Sequence, residues 1–371
     1  MPAESPGEDG QIELLSRVVL QGYQEGFDTP AAGVETFFPE VEFVSRLTED
    51  EFRQFLTLAD NHHVTIRGLT VIQKAAAEAG DAKVFARCES VLAAERNRVD
   101  RAIEFLAPVC RALEGAGAKT TVIKSLDHLP DLGSDLDLYT SGDERTVLDV
   151  MTKEFHATRE PRSWGDRLAN KWNFKIPDIP ELIEIHVQYL GQTGEHKAMA
   201  RRVIERRVTR TIHDHVFRVP APEEQIIIST LQRIYRHFYF RLCDMAEIAA
   251  LTRCGEINFS ELRRAASAGG IWPGVATFLL LVSQFVKARG GAVDIPPEVL
   301  AEAYSSDLRV HFRSGFLRVP LGPAAGLYGT QLLNAGKHGD FRAMWRLPLL
   351  PPLAVSAAVA HRLTGSDKGI W

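Results

Sequence analysis

Residues 131–142 read DLGSDLDLYTSG and set two aspartates, Asp135 and Asp137, two positions apart among leucines. Alternate side chains of a strand share a face, so both carboxylates point one way while Leu136 and Leu138 point the other way into a core. Carboxylates turned inward cost free energy unless a cation meets them. A third acid fits the pattern. In ELIEIHVQYL, 181–190, Ile183, Ile185 and Val187 form one face and Glu184, His186 and Gln188 the other. If the two strands are neighbours, Asp135, Asp137 and Glu184 converge. Hard oxygen ligands with no cysteine beside them favour Mg2+ or Mn2+ over zinc. Exposed acids on a half-solvated sheet are the commoner meaning of a bare Asp-x-Asp. Here the Gly133-Ser134 turn before it and the second acidic strand after it favour the metal reading.

The elements that must carry these residues are legible as changes in period. From about residue 11 to 116, apolar residues recur at three and four, which predicts helices, the longest running to Gly115. KTTVIKS (119–125) and SDLDLYT (134–140) then read as strands, and ERTVLDVMTKEFH (144–156) as a helix. KWNFKIP (171–177) and ELIEIHVQYL alternate again. The order predicts an α+β chain: a small mixed sheet core, 95–220, between helical regions at 1–94 and 221–371.

Net charge is −5, so the chain has no global basic field, and nucleic acid is not the favoured partner. The four cysteines show no CxxC spacing, which argues against structural zinc and for a reducing compartment. The first ten residues are polar and acidic, unlike a signal peptide, and the expectation is a cytoplasmic protein. LPLLPPLAVSAAVA (347–360) is too short to span a membrane and reads as a buried helix, with membrane-surface docking as the alternative.

VIKSLDHLPDLGSDLDLYTSG resembles the signature of DNA polymerase β-like nucleotidyltransferases: a phosphate-binding turn, then Asp-x-Asp on the next strand, then a third carboxylate on a later strand. Over residues 95–255 the chain is most similar to the uncharacterised bacterial nucleotidyltransferase group. The matching elements are Ile123-Lys124-Ser125, Asp135-Leu136-Asp137 and Glu184-Ile185-His186, with His237 and Asp244 on later helices. The resemblance implies Mg2+-dependent transfer of a nucleoside monophosphate from an NTP to an acceptor that the sequence does not name. It implies Asp135, Asp137 and Glu184 as metal-holding catalytic residues, Glu184 doubling as proton acceptor. Lys124, Ser125 and Ser134 would contact phosphate. The turn departs from the superfamily, which usually carries Gly followed by Gly or Ser where Lys124, Ser125 and Leu126 stand. That departure keeps open a non-catalytic nucleotide-binding or scaffold protein, beside a toxin-like enzyme acting on RNA or protein.

Further candidates flank this set. His186 shares the face of Glu184, and Lys171 and Lys175 lie on a strand facing the same cleft. Arg233, Arg236 and Arg241 crowd an aromatic segment with Tyr235, Phe238, Tyr239 and Phe240, suited to stacking on a base or gripping phosphate. The arginine-rich RRVIERRVTR (201–210) reads as a solvated basic face. His213-Asp214 resembles the dyad of HD phosphohydrolases but precedes a strand, and His62-His63 has no motif around it; both are set aside. Oligomeric state is not legible.

Overall fold

In the computed structural model, which describes residues 7–22, 33–177 and 179–364, the chain opens with a helical layer. Helices α1 (Glu8–Arg17), α2 (Phe38–Arg46), α3 (Glu49–Asn61), α4 (Thr65–Ala79) and the 34-residue α5 (Ala82–Gly115) follow in turn. A capping box starts α3: the Thr48 hydroxyl accepts from the Glu51 amide, and the Glu51 carboxylate accepts from the Thr48 amide. Along α5, Leu92, Val99, Ile103, Leu106 and Leu113 are buried at helical spacing.

The sheet follows: β1 (Thr120–Val122), β2 (Asp135–Thr140), α6 (Glu144–Lys153), β3 (Thr158–Arg159), α7 (Trp164–Ala169), β4 (Lys171–Lys175) and β5 (Leu182–Val187). The five strands lie in the order β1-β2-β5-β4-β3. β2 and β5 run parallel, and the other neighbours are antiparallel. Leu136, Leu138, Ile183, Ile185 and Val187 are at most 1% exposed and share one core with α5. Each such side chain contributes about 1.5–3 kcal/mol by burial, so a one-residue slip of either strand is strongly disfavoured.

Beyond the sheet, α8 (Lys197–Glu205) leads into a hairpin of β6 (Arg207–Ile212) and β7 (His215–Pro220). The arginine-rich stretch is therefore half helix and half strand, and it is no free basic face. Arg202 pairs with Glu224 (2.5 Å) and Glu261 (2.6 Å), Arg206 with Glu223 (2.6 Å), and Arg207 with Glu114.

The C-terminal region comprises α9 (Pro222–Gln232), β8 (Tyr239–Phe240), α10 (Leu242–Arg253), α11 (Phe259–Ala268), α12 (Trp272–Ala288) and α13 (Pro297–Leu300). It continues with β9 (His311–Arg313), β10 (Phe316–Arg318), α14 (Leu321–Lys337), α15 (Phe341–Arg346) and α16 (Leu350–Thr364). The region is mainly helical, as expected, and β8, β10 and β9 add a small antiparallel sheet. Its strands are too short to show a period. The buried helix expected at 347–360 is corrected. Leu347 and Leu350 pack against Ala335 and Ala343, while Pro351, Pro352, Val355 and Val359 face solvent. No described helix is long and apolar enough to cross a membrane.

Two arginines, Arg67 buried and Arg98 half-buried, fix the loop that delivers the aspartates. Arg67 of α4 donates to the carbonyls of His128 (2.8 Å) and Leu129 (2.7 Å), and Asp131 accepts from the amide of Ile66 (2.6 Å). Arg98 of α5 donates to the carbonyls of Leu132 (2.9 Å) and Gly133 (3.2 Å) and to Glu181 (2.7 Å), just before β5. Asp131→Ala leaves Arg67 buried without its acid and is expected to cost about 3–5 kcal/mol in urea unfolding. A loss below about 1 kcal/mol, the scale of an exposed pair, would show that the anchor is dispensable.

Candidate active site

The register of β2 and β5 places Asp137 opposite Glu184 and Tyr139 opposite His186, and the register of β4 and β5 places Lys171 opposite His186. All these side chains share the sheet face away from the core. Farther along that face Tyr139 is covered by Ile228 of α9 and Ala200 of α8. The open part is the end that carries the carboxylates. Asp135, Asp137 and Glu184 border a cavity of about 170 Å³, with Arg233, Arg236, His237 and Arg241 also in its lining.

The turn before β2 explains how a lysine stands where the resemblance expects glycine. Lys124 has φ +63° and ψ −57°, and the Ser125 amide donates to the Ile123 carbonyl at 2.6 Å. This is a γ-turn of the positive-φ kind, rare for a residue with a Cβ and costing about 1–3 kcal/mol. The glycine-like backbone is kept and its strain is held by neighbours. The Lys124 ammonium pairs with Asp137, and the Ser125 hydroxyl accepts from the Asp137 amide (2.7 Å) while donating to the Asp135 carbonyl (3.2 Å). Ser125 is thus committed to the β2 backbone and presents no free hydroxyl, contrary to its expected phosphate contact. Ser134 sits at the cavity edge, its hydroxyl 3.4 Å from an Asp135 carboxylate oxygen.

Internal cations meet the acids. Lys171 bridges Asp166 (2.8 Å) and Glu184 (2.9 Å), and His186 Nε2 lies 2.9 Å from Glu184 Oε1. Asp166 is positioned by a capping box with Ser163 at the start of α7. Burial pushes the Glu184 carboxyl upward, but Lys171, His186 and Lys124 outweigh it and hold the group well below the usual range. Burial also opposes the charge of Lys171, yet Glu184 and Asp166 keep it protonated. Asp135 is the exception. Burial, with Asp137 and Glu184 nearby, pushes its carboxyl up to about 6.

The facing wall is cationic. After α9 the chain makes a π-turn, Arg233–His237, and then Phe238 takes φ +57°. Wide turns of this kind break helical register and re-aim side chains. Arg233 is buried and pairs with Asp244 (2.7 Å), whose same oxygen caps α10 through the Arg241 amide (2.7 Å). Arg236 and Arg241 line the cavity, and the Nε of each has no hydrogen-bond partner. Tyr239 packs against Phe316 with ring centroids 4.3 Å apart and planes tilted by 35°, beside Arg241 and Arg318. Burial and the three arginines Arg236, Arg233 and Arg241 hold His237 neutral. Lys175 lies outside this constellation, exposed at the far end of β4 opposite Leu182. Lys171, at the other end of β4 and opposite His186, reaches Glu184 instead.

The cavity also recruits His63 and His128, which no motif marked because their partners lie far along the chain. With Cys243 they set ligating atoms within 4.8 Å of one another. Arg241 approaches His63 Nδ1 at 3.5 Å, and burial with Arg241 beside it keeps His63 neutral. The field there is positive and suits an anion better than a metal ion. The carboxylate end is the opposite case. Asp137, Glu184 and His186 place ligating atoms within 4.8 Å of one another, Asp135 adds a second aspartate on the same face, and the oxygen-rich set suits Mg2+ or Mn2+.

No protein-family profile and no curated protein matches the chain. Among solved structures, an antigenic nucleotidyltransferase-like protein from Paracoccidioides brasiliensis is similar at 14% identity and a TM-score of 0.35, over 54% of this chain and 96% of that one.

The raised Asp135 carboxyl sets a pH test. Its folded value of about 6 exceeds the unfolded value, so the group is neutral in both states in acid, and its ionisation destabilises the fold as pH rises through about 6. Asp135→Asn mimics the neutral form. Without added metal it is expected to melt a few degrees above the wild type at about pH 8 and level with it at about pH 4. Saturating Mg2+ or Mn2+ narrows the gap at the higher pH by stabilising the wild type. Thermal unfolding checks this, and a gap independent of pH would remove Asp135 as the strained acid.

Proposed function

We propose that the protein is a divalent-metal-dependent nucleotidyltransferase that moves a nucleoside monophosphate from an NTP to an acceptor. The observation that carries this reading is the polarity of one cavity: three carboxylates on the sheet and two incompletely paired arginines in the same lining. That is the charge pattern a metal–triphosphate complex requires. Asp135, Asp137 and Glu184 would hold the metal, which when bound supplies charge neutralisation and Lewis acidity at the α-phosphate. Arg236 and Arg241 bind the β- and γ-phosphate oxygens and hold the leaving pyrophosphate, since a planar guanidinium matches phosphate with two donors. Tyr239 borders the same cavity as an aromatic surface beside the nucleotide.

Glu184, the proton acceptor the resemblance implies, is held anionic and weakly basic by Lys171 and His186. A metal that lowers the acceptor hydroxyl's own pKa would therefore be needed for the proton to pass to it. A second reading has its own observation. Lys124, Lys171 and His186 already compensate the acids, as a metal-free nucleotide-binding scaffold would need.

Calorimetric titration of each NTP with Mg2+ separates the two. The enzyme reading expects binding that needs metal and disappears in the Asp135→Ala, Asp137→Ala double variant. Binding of equal strength with and without metal supports the scaffold, and no binding of any NTP to the wild type removes both. Arg236→Ala is expected to weaken NTP binding by about tenfold or more, the scale of one lost charge-assisted hydrogen bond, while leaving the binding of Mn2+ alone unchanged.

A further inference from the structure

The small sheet β8–β10–β9 turns one face to the core and the other outward. Its register sets Leu317 between Phe240 and Phe312, and Leu317 and Phe240 are buried. The alternate positions form the outer face, where Arg318 stands between Tyr239 and His311, and Phe316 stands opposite Arg313. His311 and Arg313 are exposed, and Tyr239, Phe316 and Arg318 are half-buried. The Arg318 guanidinium carbon lies 5.3 Å from the centre of the Tyr239 ring and 5.4 Å from that of Phe316, so the rings hold the cation in place. Its one hydrogen bond is long, from Nε to the Arg313 carbonyl at 3.4 Å. Among the described residues neither Arg313 nor Arg318 pairs with a carboxylate. From Leu308 to Pro320 the sequence holds three arginines and no acid. Arg309 is set apart, because it donates to the carbonyls of Ser306 and Leu308.

We propose that this face binds single-stranded nucleic acid. Arg313 and Arg318 meet the phosphates, and the Tyr239 and Phe316 rings offer surfaces for bases. Cations alone would suit any polyanion. The rings select a strand whose bases are free to stack, since bases inside a duplex are already stacked on one another. The chain's net charge of −5 does not oppose this, because salt screens charges more than about 10 Å away and leaves the local pair in command. The face is continuous with the cleft: Tyr239 and Arg241 also line the cavity that holds the carboxylates. A strand on the sheet therefore reaches the mouth of that cavity. Its binding needs neither metal nor NTP, and so stands apart from the nucleotidyl-transfer reading.

Fluorescence anisotropy of end-labelled oligonucleotides with the full chain, without metal or NTP, tests this. Oligouridylate and oligothymidylate of about twelve residues are expected to bind at about 50 mM salt and to weaken as salt rises. The tighter of the two assigns the strand as RNA or DNA, and equal binding shows that the sugar is not read. The Arg313→Glu, Arg318→Glu double variant is expected to lose at least about tenfold in affinity. Phe316→Leu, which keeps apolar bulk beside His62, is expected to lose at least about fivefold. Arg145→Glu, Arg201→Glu makes an equal charge change at exposed positions of α6 and α8 and is expected to bind like the wild type. Melting temperature verifies that each variant folds. No binding by the wild type overturns the proposal, as does affinity unchanged in Phe316→Leu or in the Arg313→Glu, Arg318→Glu variant. Polyphosphate or oligoglutamate competing as well as the oligonucleotide also overturns it, since either supplies charge without bases, and the latter would identify an acidic protein segment as the occupant.

Discussion

A lysine buried between two carboxylates makes the rest of the site possible. Asp137 and Glu184 face each other across parallel strands, and each strand is locked in register by leucine and isoleucine on its opposite side. The core therefore forces the acids together, and their mutual repulsion has to be met from within the fold. Lys171 meets it from β4, held in place by the Asp166 that also caps α7. Beside Lys124 on Asp137, the charge state of the cleft thus rests on the Lys171 ammonium. Removing that ammonium leaves buried acids uncompensated, the situation proteins tolerate least.

The two halves of the cavity are built by different means. The acidic half is periodic: alternation along β2 and β5 dictates which side chains turn to the cleft, and the pattern was readable without any structure. The cationic half is aperiodic. A π-turn at Arg233–His237 and a left-handed Phe238 aim Arg236 and Arg241, and neither feature leaves a repeat in the sequence. Composition alone showed that arginines and aromatics were crowded there, but it could not say which of them would face inward.

The same distinction explains most of the remaining differences between sequence and structure. Long helices such as α5 and the acidic strands were legible because burial repeats along them. The β8–β10–β9 sheet was not, because each strand has only two or three residues and β8 pairs with β10 across a long gap in sequence. His63 was invisible for a related reason: its neighbours come from a turn before β2 and from α10, so no local spacing joins them. Lys175 was misplaced by a correct rule. It lies on the predicted face of β4 and level with Asp135, but two strands away across β5, and alternation fixes the side of a sheet without fixing the distance to a site. The segment after Leu347 was read as core because apolar length cannot distinguish a helix packed on all sides from one packed on a single side.

The γ-turn at Lys124 would tie the two proposed binding events together. Its ammonium occupies Asp137, one of the carboxylates a metal would need, so metal and lysine would compete for one oxygen set. A cation that took Asp137 would release an ammonium already poised at the turn, beside the wall where phosphate is proposed to sit. The freed lysine would then add positive charge for an anionic ligand, so each ligand would lower the cost of admitting the other. Linkage would make this reciprocal: whatever factor metal added to nucleotide affinity, nucleotide would have to return to metal affinity. Under the proposed function, a strained lysine in place of glycine is a two-key lock, at rest with its own internal counterion.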